Sequence, residues 1–133
     1  MTLLRDRRGV TAIDFAVSIS LVLMLLFTVF DLGMLYLAQQ TLNYGVAAAV
    51  RYAVVNSTGA NAGNVTSSLR GAVTPLLGAA AANQCQVTVT FTPGSSPGNS
   101  VTVVANFAWK PLTGLEFIPA VTLTSRATLT IQH

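Results

Sequence analysis

Arg5-Asp6-Arg7-Arg8-Gly9-Val10-Thr11-Ala12-Ile13-Asp14-Phe15-Ala16-Val17 opens an apolar stretch that carries no charge from Phe15 to Phe30. Arginines stand directly against a run of membrane length, and one carboxylate, Asp14, sits where hydrocarbon would ordinarily exclude it. Past Asp31 the apolar character continues through Leu32-Gly33-Met34-Leu35-Tyr36-Leu37-Ala38. About 20 such residues cross a hydrocarbon core of ~30 Å, and arginines that precede a span stay on the cytoplasmic side. The chain therefore divides into a cytoplasmic leader (1–9), a transmembrane half of a long helix (10–38) and an outer domain (39–133). A secretory signal peptide is cut after its apolar stretch, at small residues. Here the cut that the junction offers lies before the stretch, between Gly9 and Val10, so the helix stays with the mature chain.

Asp14 and Asp31 bracket the most apolar segment. At ~1.5 Å per residue they stand roughly 25 Å apart along the axis, so each could lie near an opposite membrane surface. Asp31 reads as an interfacial residue and nothing more. Asp14 has a larger consequence. A cut after Gly9 creates an α-amino group at Val10, one helical turn away. An ammonium or a carboxylate left alone in low dielectric is costly, so the two need each other; the amine could belong to the same chain or to a neighbouring subunit. Ala12, Ala16 and Ser20 recur every fourth residue, which lines one helix face with small side chains and lets another helix approach closely. Small residues are common in membrane spans, so chance produces the same spacing. Gly33 is a further small position for helix packing.

Helical spacing persists beyond the span in Leu42, Val46, Ala49 and Ala53, and no proline occurs before Thr74. One helix is expected from about Val10 to about Val55, with Gly33 and Gly45 as the places where it could flex, ending in the turn residues Asn56-Ser57-Thr58-Gly59. Asn64 is then the expected cap of a second helix with Val65, Leu69, Val73, Leu76 and Leu77 on its apolar side. Pro75 should break or restart that helix, with Thr74 as a new cap, before it fades through the alanines to Asn83. Three strands follow. Val87, Val89 and Phe91 alternate with threonines. Val101, Val103, Ala105, Phe107 and Trp109 alternate against Thr102, Asn106 and Lys110 after a Pro/Gly/Ser loop. Val121, Leu123, Ala127, Leu129 and Ile131 alternate with Thr122, Thr124, Arg126, Thr128 and Thr130. Period-two alternation gives a sheet one apolar face, which the outer half of the long helix and the second helix can cover. The fold class is α+β with a three-stranded antiparallel sheet. The apolar link Pro111–Ala120 either folds back over the core edge or touches the membrane surface or a neighbour.

Composition narrows the function. Hydrophobic residues make up 52% of the 133 and charged ones 8%, against roughly 25% charged in a soluble domain. Much of the surface must therefore lie in lipid or against other subunits. The net charge is +3, but Arg5, Arg7 and Arg8 against Asp6 leave only +1 beyond the leader. Arg51, Arg70, Lys110 and Arg126 are scattered, so no stripe tracks a nucleic-acid backbone. His133 is terminal, the acids form no pair outside the membrane segment, and no metal-ligand cluster or phosphate-cradling glycine turn occurs. The expectation is no enzyme, no cofactor, no metal and no nucleic acid. The single cysteine, Cys85, reads as a small buried residue, or else as a bond to another subunit.

The junction resembles the class III signal of type IV prepilins. Arg8-Gly9-Val10-Thr11-Ala12-Ile13-Asp14-Phe15-Ala16-Val17 and Phe30-Asp31-Leu32-Gly33-Met34-Leu35-Tyr36 are similar to the TadE-like minor pseudopilins of tight-adherence (type IVb, Flp) pilus systems. Arg51-Tyr52-Ala53-Val54-Val55, Lys110-Pro111-Leu112-Thr113 and the closing strand resemble later parts of that family. The resemblance implies a pilin-like fold and a prepilin peptidase that cuts between Gly9 and Val10. Arg7, Arg8, Gly9, Asp14 and Phe15 would be features of the processing site, none of them catalytic. It also implies that Ala12, Asp14, Ala16, Ser20 and Gly33 serve helix packing and assembly. The family usually carries glutamate where this chain has Asp14, one methylene shorter. The implied role is a minor pilin or pseudopilin in the bacterial inner membrane, N-terminus cytoplasmic and C-terminal domain periplasmic. Its partners would be lipid, other pilins and minor pseudopilins and the assembly platform, and it would initiate or cap a tight-adherence pilus used in cell adhesion. Two other readings compete: an uncleaved membrane-anchored envelope binding module, and a pseudopilin of a type II secretion system.

Overall fold

The computed structural model describes residues 7–56, 60–111 and 119–132, the first three by backbone alone. Helix α1 runs from Arg7 to Val55, α2 from Ala62 to Leu77 and α3 from Ala79 to Gln84; strands β1 (Gln86–Thr92), β2 (Ser100–Trp109) and β3 (Val121–Thr130) follow. This is the expected α+β architecture. The strands lie in the order β1-β2-β3, antiparallel throughout, with Val89 opposite Val103 and Val103 opposite Ala127. The link that carries Leu112, Leu115, Phe117 and Ile118 lies outside the described residues, as do Ser57, Thr58, Gly59 and His133.

Forty-nine residues make α1 about 73 Å long. It stays helical through both Gly33 and Gly45. Its outer half is one wall of the core. Ala38, Leu42, Val46, Ala49, Val50 and Ala53 are buried there, against Val65, Leu69 and Val73 of α2 and the inner face of β2. Spacings of three and four keep these side chains on one stripe. Val101, Val103, Ala105, Phe107 and Trp109 are all buried, so the alternation read in β2 holds along its whole length. On β3, Leu123 and Ile131 are buried and so is Ser125, but Leu129 is 44% exposed. β3 is an edge strand, and Leu129 has no strand beyond it to close its outer flank.

Three local features differ from expectation. The cap of α2 is Asn61, not Asn64: Asn61 is extended, and its side-chain oxygen accepts from the backbone N–H of Asn64 at 2.8 Å. Asn64 is thus the third helical residue, the position whose free N–H a cap satisfies. Pro75 does not break α2, and Thr74 caps nothing; its hydroxyl donates back to the Arg70 carbonyl at 2.7 Å. The carbonyl that loses a donor at Pro75 belongs to exposed Gly71, where water can replace it. The helix ends instead at Gly78, whose φ of +82° suits glycine, and the alanines form the separate short α3.

Gly45 is buried where α1 and α2 cross. A Cβ there would stand 2.5 Å from Val73 Cγ2 and 3.6 Å from the Leu69 carbonyl oxygen. Glycine is what allows the two backbones to approach this closely. Beyond the crossing, the Gln39 side-chain amide donates to the Thr124 carbonyl at 3.4 Å and to Asn43 Oδ1 at 3.2 Å, which ties α1 to β3.

Candidate assembly helix

Below Asp31 the described residues leave α1 almost bare. From Val10 to Phe30 every residue is exposed except Thr28, which is partly covered. Twenty-one residues rise about 31 Å, close to the ~30 Å of a bilayer's hydrocarbon core. This helix is long and apolar enough to cross a membrane: its most apolar window has a mean hydropathy of 2.4 and is 0% buried. The polar groups within it are largely self-satisfied. Ser20 Oγ donates to the Ala16 carbonyl and Thr28 Oγ1 to the Met24 carbonyl, each at 2.8 Å. Hydroxyls bonded one turn back carry no unmet donor into lipid.

The expected site residues fall into groups. Arg7, Arg8 and Gly9 lie in the first turn of α1, described by backbone alone. Val10 and Asp14 follow one turn apart, both exposed, with Phe15 68% exposed beside them. Ala12, Ala16 and Ser20 lie on one exposed face over ~12 Å of rise. Gly33 is exposed with nothing within 4 Å of the place a Cβ would occupy, but at ~100° per residue it points roughly 140° away from Ser20. The helix therefore offers a short small-residue face near its start and a separate gap at Gly33.

Asp31 is the residue that sequence reasoning undervalued. It is only 2% exposed and is engaged in an interaction where it lies. It begins the buried stripe that continues through Ala38, Thr41, Leu42, Gly45 and Ala49. Cover thus starts at Asp31, seven residues before the expected end of the span at residue 38. The available signal was the spacing of seven from Asp31 to Ala38, two helical turns on one face.

Cys85 is free and buried at the end of α3, its thiol donating to the Ala81 carbonyl at 3.6 Å. Burial pushes the thiol up from its ordinary value, and the nearby positive charge of Arg70 opposes this in part. At neutral pH it is a protonated interior group, as the simpler reading of a lone cysteine expects. Among the described residues no group of three or more His, Cys, Asp or Glu side chains could hold a metal.

Residues 9–51 match the family model for TadE-like protein. The match opens at Gly9 and closes inside α1, so it covers about a third of the chain and none of the sheet. The likeness read in Lys110-Pro111-Leu112-Thr113 and in the closing strand lies outside it. No curated protein and no solved structure matches the chain. Over residues 9–51, then, the chain is similar to TadE-like protein.

Proposed function

From the TadE-like character of residues 9–51, we propose that this protein is a minor pilin or pseudopilin, a structural subunit that a prepilin peptidase matures between Gly9 and Val10. The observation that carries the proposal is a bare apolar stretch of one membrane thickness, continuous with the helix that walls the outer core and matched from Gly9 onward. Arg7 and Arg8 hold the leader in the cytoplasm and present the Gly9–Val10 bond at the membrane surface. Gly9 leaves the peptidase room at the cleaved bond, and Asp14 and Phe15 complete the recognised segment. Residues 10–30 anchor the mature subunit in the inner membrane, and the α+β domain stands in the periplasm.

Cleavage changes the electrostatics of the helix start. A new ammonium appears at Val10 while Asp14 remains one turn above it. Withdrawal from the membrane into a pilus removes water from both groups, and pairing offsets a desolvation that costs several kcal/mol per ion. An assembly platform then docks the subunit against other pilins through the Ala12, Ala16 and Ser20 face. The folded outer domain suits a subunit that initiates or caps the fibre.

N-terminal sequencing of membrane-extracted protein, produced with the prepilin peptidase of its own pilus system, tests this directly. A mature chain beginning at Val10, and a Gly9→Phe variant that stays full length, are the expected results. A chain that still begins at Met1 in the presence of an active peptidase would instead identify a permanent membrane-anchored module. Immunodetection of the protein in sheared surface filaments then tests its incorporation.

A further inference from the structure

A groove of about 320 Å³ opens between α1, α2, α3 and the end of β2. Its walls are largely apolar, from Met34, Leu76, Leu77, Phe107 and Trp109, and the exposed polar residues Gln84 and Lys110 also line it. No acid lines it. The volume lies in the range of pockets that take small ligands. We infer that this groove holds an acyl chain of an anionic phospholipid drawn from the adjacent leaflet, with the Lys110 ammonium on the lipid phosphate.

The position of the groove selects lipid as the occupant. Bare helix ends at Phe30, and Met34 lies four residues further on, a rise of about 6 Å. A bilayer about 40–45 Å thick with a ~30 Å core leaves a headgroup layer of about that depth on each side. The groove therefore sits at headgroup level, where its apolar walls meet the upper acyl chains. Lysine is a residue type that anchors at this level, with a charged tip on an apolar stem, and exposed Lys110 lines the groove beside the buried ring of Trp109. The charge is complementary: among the described residues that line the groove Lys110 is the one charged side chain, and a cation beside a largely apolar surface fits a phosphate above a hydrocarbon chain. The inference rests on the membrane reading of residues 10–30.

Trp109 is the only tryptophan in the chain, so its fluorescence reports the groove alone. The full chain is reconstituted into phosphatidylcholine vesicles containing phosphatidylglycerol, with either lipid carrying acyl chains brominated near the headgroup. Brominated phosphatidylglycerol should quench Trp109 more strongly than brominated phosphatidylcholine at equal content. Lys110→Gln should weaken that preference about fivefold. Ala81→Phe, which places a ring in the groove, should reduce quenching by either lipid. A chain that floats with the vesicles but whose emission ignores bromine overturns the inference and leaves the membrane reading intact. Quenching unchanged in Ala81→Phe also overturns it, because the bromine then reaches the ring without entering the groove. An emission shift that follows the protein-to-lipid ratio without bromine quenching assigns the groove to a second copy of the chain and overturns it too. Failure to float with vesicles removes the membrane reading itself.

Discussion

Replacing Gly45 with alanine should loosen the outer domain although alanine is the better helix former. The new Cβ would lie 2.5 Å from Val73 Cγ2, about 1 Å inside ordinary contact, and 3.6 Å from both Leu69 Cγ and the Leu69 carbonyl oxygen. Val73 and Leu69 are fully buried. A valine in a helix keeps essentially one side-chain rotamer, so its methyl cannot swing aside; α2 must shift or the core must open. Overpacking costs about 1–3 kcal/mol, and a 2.5 Å approach to a methyl that cannot swing aside falls in the upper part of that range, about 2–3 kcal/mol; the gain in helix propensity from glycine to alanine returns about 1 kcal/mol. The net loss should be about 1–2 kcal/mol, a fall of about 3–8 °C in Tm for a chain of this size. Thermal unfolding of the full chain in lipid nanodiscs, followed by near-ultraviolet circular dichroism, measures it. Gly33→Ala is the matched control, since nothing lies within 4 Å of its Cβ position, and it should not lower Tm. Adding Val73→Ala to Gly45→Ala should cost less than the two single changes together, because the cavity accepts the methyl. If Gly45→Ala matched Gly33→Ala, or the two changes at the crossing were additive, close approach of α1 and α2 at Gly45 would not govern packing there.

Other perturbations separate the two ends of the long helix. Asn61→Ala should lower stability by about 1 kcal/mol and speed amide hydrogen exchange in the first turn of α2, whereas Asn64→Ala should leave that turn's protection nearly intact. Asp31→Ala, at a buried and engaged position, should destabilise the outer domain by about 1–3 kcal/mol in the same thermal assay. Asp14→Ala should leave that transition unmoved, because Asp14 is exposed and roughly 25 Å away along the helix. Iodoacetamide at neutral pH should spare Cys85 in the folded chain and label it after denaturation. Burial raises the folded-state thiol above its ordinary value, so its contribution to stability is full below the unfolded-state value of 9.0 and is lost as pH rises through the folded-state value. The stability of the natural chain relative to Cys85→Ala should therefore decline above about pH 9 in denaturant titrations.

Alternation in β2 was legible because Val101, Val103, Ala105, Phe107 and Trp109 keep one period while Thr102, Asn106 and Lys110 mark the other, even though Val104 and Ala108 blur it, and each of the five is buried. The extent of α1 was legible for a different reason: a long apolar run without proline or a cluster of turn residues has no competing local signal. Asp31 was not legible because α1 is apolar on nearly all sides. Where lipid-facing and core-facing positions are equally hydrophobic, periodicity has no contrast, and only the packed partner distinguishes them. The importance of Gly45 likewise depends on Val73, which comes near it only in the folded chain. The choice of Asn61 over Asn64 turned on a three-residue shift between two identical side chains, either of which could cap. Pro75 was misread because its cost depends on what lies four residues earlier; here that is an exposed glycine, and Pro75 itself sits in the helix's last turn. In the assembly helix, the small-residue face was visible as a spacing, but the rotation that sets Gly33 apart from it appears only when the turn angle is carried over thirteen residues.

The uninterrupted course of α1 fixes an azimuth. The bare stretch and the wall of the core share one hydrogen-bonded screw, so the compass bearing of Ala12, Ala16 and Ser20 relative to the sheet is set by residue count. A subunit that docks by its lower rod must hold its outer head at one dictated heading. Inserting a single residue between Ser20 and Phe30 would swing that heading by ~100° and lift the head by only ~1.5 Å. Neighbours that read the head and neighbours that read the rod would then receive contradictory instructions from the same molecule.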